Sequence, residues 1–317
     1  MLTPKAEAYL EECRQEAVDL LIRLAQIPAP SNQEEKRAVF CREWLEKNGA
    51  QGVYVDEALN VIYPVIKDGE PLEKQQLAVY AAHTDVVFPD LTPLPLTVDG
   101  NLICCPGVGD DTACLTALLI AARFVARELR QGSLKLKNEG VLFVCNSGEE
   151  GLGNLKGSRE ICRAFGKQMD ACITLDGPVD KRVTRAVGSM RYQVEIRTRG
   201  GHSYGDFGQP NAIARMAELI AKLYQIPVPK GAKTTFNVGT ISGGTSVNTI
   251  AQQAQMLYEF RSESRDNLKY MEEQFMELIH QAEDMEDMEV SLTLVGERPC
   301  GGDVEEEAQE ELLDRAR

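Results

Sequence analysis

The sequence lacks the features that mark membrane, secreted and nucleic-acid-binding proteins. Its 317 residues carry 34 lysines and arginines against 49 aspartates and glutamates, which gives a formal net charge of −15. Because a negatively charged surface repels phosphate backbones, this composition argues against nucleic acid as a partner. No apolar run is long enough to cross a bilayer, and the acidic N-terminal segment is unlike a signal peptide. We therefore expect a cytoplasmic protein without a membrane partner.

The nine cysteines form neither a metal-binding pattern nor a disulfide framework. Their number is odd, and no two are spaced as Cys-x-x-Cys. This predicts reduced thiols and argues against a thiolate zinc site. A nucleophilic serine or cysteine is the least favoured hypothesis. The stretch CNSGEEG lacks the Gly-x-Ser-x-Gly elbow, and no cysteine has a neighbouring histidine in the sequence.

Apolar segments that look like strands alternate with helical patterns in the first half of the chain. The strand-like segments are 77–82, 141–145 and 171–175, and the clearest helix is 113–129. This alternation predicts an α/β sheet. After the IPAPS stretch, Ser31 is expected to cap the next helix, with Glu34 at the capping-box position.

The pattern changes in the second half of the chain. RYQVEIRTR alternates apolar and polar side chains, and PNAIARMAELIAKLY is an amphipathic helix that Pro210 opens. The order of elements is β-α-β-β-α-β, which is typical of a ferredoxin-like sandwich. We predict a first domain at 1–185, an inserted domain at 186–296 and a return to the first domain at 297–317.

Polar side chains follow the strand-like segments, where an α/β sheet carries its functional groups. They are His83, Asp85, Asp110, Asp111, Glu149, Glu150 and Asp176. One imidazole with several carboxylates suits Zn²⁺, Mn²⁺ or Co²⁺, and burying so many carboxylates without a cation would be costly. Each group also has an ordinary explanation, such as a strand-end hydrogen bond, a helix N-cap or a solvated turn. Their coincidence at four strand ends favours a metal site.

Five motifs resemble the M20 family of co-catalytic zinc peptidases and deacylases, and most closely its peptidase T-like branch. They are HTDVV, GVGDDTACLTALL, NSGEEG, LDGP and GGHS…NAI. The resemblance runs in order from about residue 34 to the end of the chain. It implies a zinc-peptidase-like α/β catalytic domain with an inserted ferredoxin-like dimerisation domain, and hence a homodimer.

The resemblance implies two zinc ions in each subunit. His83 and Asp176 would hold one zinc, Glu150 would hold the other, and Asp110 would bridge them. The bond between Asp110 and Asp111 would be a cis peptide, as in that family. Mn²⁺ or Co²⁺ in place of zinc stays open.

The resemblance also assigns the proton transfers. Glu149 would be the general base that takes a proton from the metal-activated water and returns it to the leaving amine. Asp85 would orient the imidazole of His83. In the inserted domain, His202 would reach the active site of the neighbouring subunit and donate to the substrate carbonyl oxygen.

Two further residues match family positions that contact substrate. They are Asn248 in GGTSVNTI and Arg261 in YEFRSE. An arginine suits a substrate carboxylate because it binds it bidentately. The alternative for Arg261 is a salt bridge to Glu259 or Glu263.

The sequence departs from the family at its last metal ligand, a histidine near the end of the chain. Besides His83, only His202 and His280 are present. His280 falls in a helix of the inserted domain and is expected at the surface. We therefore expect a C-terminus shortened relative to the family, one tightly bound metal at most and little or no hydrolysis by the 317-residue chain.

The predicted function is metal-dependent hydrolysis of the amide bond of small peptides, as in di- and tripeptide aminopeptidases. Two alternatives stay open. One is an N-acyl amino acid deacylase with the same metals and a different pocket. The other is a truncated, non-catalytic dimerising protein, which the missing histidine favours and the presence of Glu149 and Asp110 opposes.

Overall fold

The chain folds as two units. The structure is a computed structural model that describes residues 2–67, 71–136, 139–178, 180–301 and 306–315. The first unit comprises Met1–Arg182 with Leu312–Arg317, and the second comprises Val183–Glu311. Within the described residues, no helix is both long enough and apolar enough to cross a membrane.

The first unit is built around a mixed five-stranded sheet. Its helices are α1 (Pro4–Glu12), α2 (Arg14–Ala25), α3 (Glu35–Lys47), α4 (Ala113–Arg130) and α5 (Lys156–Phe165). Its strands are β1 (Tyr54–Val55), β2 (Val61–Val65), β3 (Gln76–His83), β4 (Thr97–Asp99), β5 (Leu102–Cys104), β6 (Glu139–Asn146) and β7 (Met169–Thr174). The sheet order is β1-β2-β6-β3-β7, with β3 parallel to both β6 and β7. Strands β4 and β5 pair separately.

Helices cover both faces of this sheet, which explains the continuous apolar character of its central strand. Successive side chains of β3 point to opposite faces. Leu77 and Val79 pack on one face with Phe165 of α5. Ala82 packs on the other face in the core that includes Leu118 of α4. Between Gln76 and His83, β3 therefore carries apolar and aromatic side chains only.

The N-terminal end of α3 differs from the prediction. Glu34 is the N-cap residue of α3, and its side chain makes no capping hydrogen bond. The side chain of Ser31 donates to Asp85, and that of Glu34 accepts from the backbone of Gly148. The predicted capping box was therefore wrong, because both side chains bond to loops that are distant in the sequence.

The second unit has the predicted ferredoxin-like architecture. Its helices are α6 (Ala212–Leu223) and α7 (Arg265–Glu283), and α8 (Glu306–Arg315) crosses the division between the units. Its strands are β8 (Gly188–Arg197), β9 (Gly201–His202), β10 (Thr234–Gly243), β11 (Thr249–Ile250), β12 (Gln253–Ser262) and β13 (Glu289–Arg298). The antiparallel sheet has the order β10-β12-β8-β13, and β9 and β11 form a two-stranded sheet of their own. The core of the sheet packs against α6 and α7.

The domain boundary predicted at residue 296 differs from the structure. Strand β13 pairs with β8 as far as Arg298, because a register shift between Leu294 and Gly296 lets the pairing continue past the glycine. The described residues 297–301 and 306–311 therefore belong to the second unit. The boundary predicted at 185/186 lies close to the observed division at 182/183. The catalytic and dimerisation roles of the two units stay predictions.

Candidate metal centre

The candidate site lies in the first unit, at the carboxyl ends of its parallel strands. His83 ends β3 and is in register with Asn146, which ends β6. Leu175 follows β7, and its N–H donates to the Ala81 backbone oxygen at 2.7 Å, which places Asp176 beside the same end of β3. Because parallel strands end at one edge of a sheet, residues far apart in sequence meet there.

Two groups of side chains with potential metal-ligand atoms form at this edge. His83, Glu149 and Glu150 make one group, and His83, Asp110 and Asp176 make the other. Within each group, one ligand atom per residue lies within 4.8 Å of the others. The structure thus brings together the four predicted ligands and the predicted base, with His83 shared between the groups.

The surroundings of His83 fix the direction of its imidazole. Nδ1 lies 3.0 Å from the backbone oxygen of Asp85, an atom that only accepts, so Nδ1 carries a proton. Nε2 faces Oδ1 of Asp110 at 3.2 Å. Burial lowers the pKa of His83, but the hydrogen bond to Asp85 and the nearby carboxylates, led by Asp111, outweigh burial and raise the pKa to about 10. The nitrogen that faces the carboxylates is therefore the one available to a metal.

The carboxylate of Asp85 holds the backbone of Glu149 and Glu150, in addition to its predicted role of orienting His83. This carboxylate is fully buried and accepts the backbone N–H groups of Glu149 and Glu150, each at 2.9 Å. Burial raises the pKa of Asp85, but hydrogen bonds from His83 and Ser31 and from the Glu150 backbone outweigh burial and lower the pKa to about 2. Asp85 therefore links His83 to the loop that follows β6 and carries Glu149 and Glu150, here called the glutamate loop. No local sequence pattern indicated this link.

The two aspartates after β5 have different surroundings. The peptide bond between Asp110 and Asp111 is cis, as the resemblance implied. The side chain of Asp110 is 65% exposed, whereas Asp111 is buried and its Oδ2 accepts the backbone N–H of His83 at 2.8 Å. Burial is the main reason that the pKa of Asp111 is raised to about 7. Asp111 thus supports the backbone of His83, a role that the sequence analysis missed.

The donor set fits a divalent cation. Burial and the neighbouring charges, Asp110 first, raise the pKa of Glu150, and burial and Asp110 likewise raise the pKa of Asp176. Four carboxylates therefore share the space with one imidazole, and their mutual repulsion disfavours the charged state. A cation would relieve both the repulsion and the cost of burial.

The raised pKa of His83 predicts how pH affects stability in the metal-free chain. The folded state binds the His83 proton more tightly than the unfolded state, where the pKa is about 6.5. The stabilisation is fully present below about pH 6.5 and is lost as pH rises through about 10. In EDTA, the difference in free energy of unfolding between the unmodified chain and His83→Gln should shrink from pH 6 to pH 10, as measured by urea unfolding. A difference that does not vary with pH would contradict this account.

In the second unit, His202 and Asn248 lie close together. His202 is exposed on β9, and its Nδ1 accepts the backbone N–H groups of Tyr204 and Gly205 at 3.3 and 3.2 Å. Neutral His202 therefore carries its proton on Nε2. The backbone oxygen of Asn248 accepts the N–H of Ser203 at 3.0 Å. The sequence motifs that contain these two residues are thus joined by backbone pairing.

Arg261 makes a side-chain contact that the sequence analysis gave as the alternative. Its Nε and Nη2 donate to the two carboxylate oxygens of Glu259 at 3.0 and 3.1 Å. Arg191 also donates to Glu259, at 3.1 Å. The substrate-binding role of Arg261 stays a prediction. His280 lies exposed in the last turn of α7, as expected.

Comparison with protein families agrees with this geometry. A model of peptidase family M28 matches residues 60–220, about half of the chain, and a model of the M20 peptidase dimerisation domain matches residues 184–284. The chain belongs to the M20-type metallopeptidases. The first match includes all the metal-centre residues from His83 to Asp176, and the second includes His202 and Arg261.

Individual relatives of this M20-type chain agree with the predicted fold. Succinyl-diaminopimelate desuccinylase of Nitrosococcus oceani is 28% identical over 230 residues, which cover 66% of this chain and 59% of the relative. The structure of aminopeptidase PepT from Bacillus cereus has a TM-score of 0.62 at 20% identity, covering 93% of this chain and 79% of that one. The YxeP protein of Bacillus subtilis, a dinuclear metal-binding M20 peptidase, has a TM-score of 0.55 at 16% identity, covering 90% and 74%. These structural likenesses show a shared zinc-peptidase-like fold.

The chain spans only part of its curated relatives. It covers between 38% and 59% of the length of the four that it matches. The substrate, activity and partners of the whole protein are therefore taken up as proposals.

Proposed function

We propose that the first unit binds a divalent metal ion and hydrolyses the amide bond of small peptides, as a di- or tripeptide aminopeptidase does. The observation that carries this proposal is the pair of donor groups that share His83. Imidazole with carboxylates suits Zn²⁺ first, with Mn²⁺ and Co²⁺ as alternatives. The family match supports hydrolysis as the class of reaction.

Four side chains are proposed to hold the metal ions. His83 and Asp176 would hold one ion, Glu150 would hold the other, and Asp110 would bridge them. Glu150 suits a ligand because its carboxylate is destabilised by burial and by Asp110, and a cation relieves both effects. Asp110 suits a bridge because its charge acts on both Glu150 and Asp176.

Glu149 is proposed to be the general base. Divalent ions bound here would lower the pKa of a water molecule and stabilise negative charge on the substrate carbonyl oxygen. Glu149 would accept a proton from the attacking water and return it to the leaving amine nitrogen. Asp85 would orient this step, because it holds the backbone of Glu149 and the imidazole of His83 together.

We propose further that the chain forms a homodimer through its second unit. The dimerisation-domain match supports this. His202 would donate from Nε2 to the substrate carbonyl oxygen in the neighbouring subunit, and its Nδ1 contacts keep the proton on Nε2. Asn248 would contact substrate, and Arg261 would bind a substrate carboxylate in place of its present partner Glu259.

Deacylation of N-acyl amino acids is the second candidate. The observation in its favour is the curated relative named for removing a succinyl group from diaminopimelate. The reaction breaks an amide bond with the same metal and base, so only the substrate pocket would differ.

A substrate panel tests the function and separates the two candidates. The purified chain would be assayed on di- and tripeptides and on N-acetyl and N-succinyl amino acids, with Zn²⁺, Mn²⁺ or Co²⁺ and with EDTA. We expect little hydrolysis by this chain, and we expect the hydrolysis that occurs to act on peptides and to depend on added metal. Hydrolysis of the acyl amino acids alone would favour the deacylase. Hydrolysis that EDTA does not reduce would contradict the metal centre, and metal binding with neither activity would favour a non-catalytic dimer.

A further inference from the structure

The segment between α2 and α3 contacts the loop that follows β6. Ser31 Oγ donates to Asp85 Oδ2 at 2.7 Å and lies 3.3 Å from the backbone oxygen of Glu150. Asn32 Nδ2 donates to the backbone oxygen of Leu152 at 3.4 Å. These contacts reach the glutamate loop at Glu150 and again two residues later.

Glu34 holds the same loop on the other side of the glutamate pair. Its carboxylate is fully buried. Oε1 accepts the backbone N–H groups of Asn32 at 2.8 Å and Gly148 at 3.0 Å, and Oε2 accepts from Lys156 Nζ at 2.8 Å. A buried carboxylate is costly unless it is paired and hydrogen-bonded, so these three bonds strongly favour one position for Gly148.

Gly148 is held by packing as well as by hydrogen bonding. Its φ of 59° lies in the left-handed region that favours glycine. The stem of Lys156 lies against it so closely that a Cβ on Gly148 would fall 2.5 Å from Lys156 Cγ. Lys156 therefore covers Gly148 with its stem and binds Glu34 with its ammonium group. The next residue in the chain is Glu149.

We infer that residues 31–34, here called the clasp, position the glutamate pair for metal binding and proton transfer. This inference rests on the proposed function. The clasp bonds to the loop at Gly148, Glu150 and Leu152, while Asp85 bonds to the glutamate N–H groups between them. Without the clasp, the two carboxylates would sample more positions, and a metal would have to order them as it binds. No clasp residue is a proposed metal ligand or substrate contact, so the clasp residues are positioning residues.

Cobalt binding tests the clasp separately from catalysis. Co²⁺ would be titrated into the metal-free chain, its Kd determined by calorimetry and its visible absorption recorded, since that spectrum reports ligand geometry. The variants are Glu34→Gln, which removes the charge, and Ser31→Ala, which removes the hydroxyl. Glu35→Gln is the matched control, because it removes the same charge from an exposed neighbour. Circular dichroism would confirm that each variant is folded.

We expect Glu34→Gln and Ser31→Ala each to raise the Kd for Co²⁺ by about 10- to 100-fold and to change the absorption spectrum. Glu35→Gln should match the unmodified chain in both measurements. A folded Glu34→Gln variant with unchanged Kd and spectrum would overturn the inference. An ion pair between Glu34 and Lys156 that only stabilised the fold would leave both measurements unchanged. If Glu34→Gln does not fold, an unchanged Ser31→Ala overturns it instead. Failure of the unmodified chain to bind Co²⁺ would overturn the proposed function itself.

Discussion

Replacing Glu149 by glutamine should lower kcat of the metal-loaded protein by about 10²- to 10⁴-fold and leave its metal content close to normal. The amide keeps the shape of the side chain but cannot accept a proton from the attacking water. The backbone N–H of residue 149 would still donate to Asp85, so the loop should keep its position. The measurements are kcat on the substrate class that the panel identifies and zinc content by elemental analysis.

A Glu150→Gln variant is the comparison for this experiment. Both glutamates lie in one donor group with His83, so a pair of variants distinguishes the base from the ligand. Glu150→Gln should lower metal content as well as activity, because Glu150 is the proposed ligand. Glu57→Gln, at an exposed position, should change neither. Near-normal turnover in Glu149→Gln would contradict its assignment, and loss of metal from that variant would make Glu149 a ligand.

Mixing Glu149→Gln subunits with His202→Ala subunits should restore about a quarter of the unmodified activity once the subunits exchange. Alone, His202→Ala should lower kcat by about 10²- to 10³-fold, because it removes the donor to the carbonyl oxygen. In a mixed dimer, one site has Glu149 from one subunit and His202 from the other. Half of the dimers would be mixed, and half of their sites would be competent. Activity of the mixture against each variant alone is the measurement.

The control for this mixture is a subunit that carries both substitutions. Glu149→Gln mixed with Glu149→Gln/His202→Ala should show no recovery, because no site then has an intact base. Subunit exchange would be followed with two affinity tags. No recovery in the first mixture despite complete exchange would mean that His202 does not act between subunits.

The residues that meet at the candidate metal centre could be predicted from the sequence because their signals are local. A strand covered on both faces reads as a continuous apolar run, and His83 stands where such a run ends. Asp176 follows the apolar run 171–175, although β7 is exposed on one face. The second unit was predictable for the same reason, since its alternating strands and amphipathic helices carry their own periodicity. The cis bond between Asp110 and Asp111 was expected only from the family resemblance.

The supporting contacts could not be predicted, because they join residues that are far apart in the sequence. Ser31 and Glu34 have the spacing of a capping box, and that local pattern led to the wrong prediction. In the fold, Ser31 bonds a residue 54 positions away and Glu34 bonds one 114 positions away. The domain boundary predicted at 296 falls inside β13, whose pairing with β8 continues to Arg298 through a register shift between Leu294 and Gly296.

Zinc titration of the metal-free chain, compared with its His83→Ala variant, tests the metal centre most directly. Both donor groups depend on one imidazole, and one Nε2 binds one ion. Calorimetry should therefore show one tightly bound Zn²⁺ in the unmodified chain, any second ion being weaker. His83→Ala should lose the tight ion, and His280→Ala, at an exposed histidine, should keep it. Equal zinc affinity and stoichiometry in His83→Ala and the unmodified chain would contradict the account.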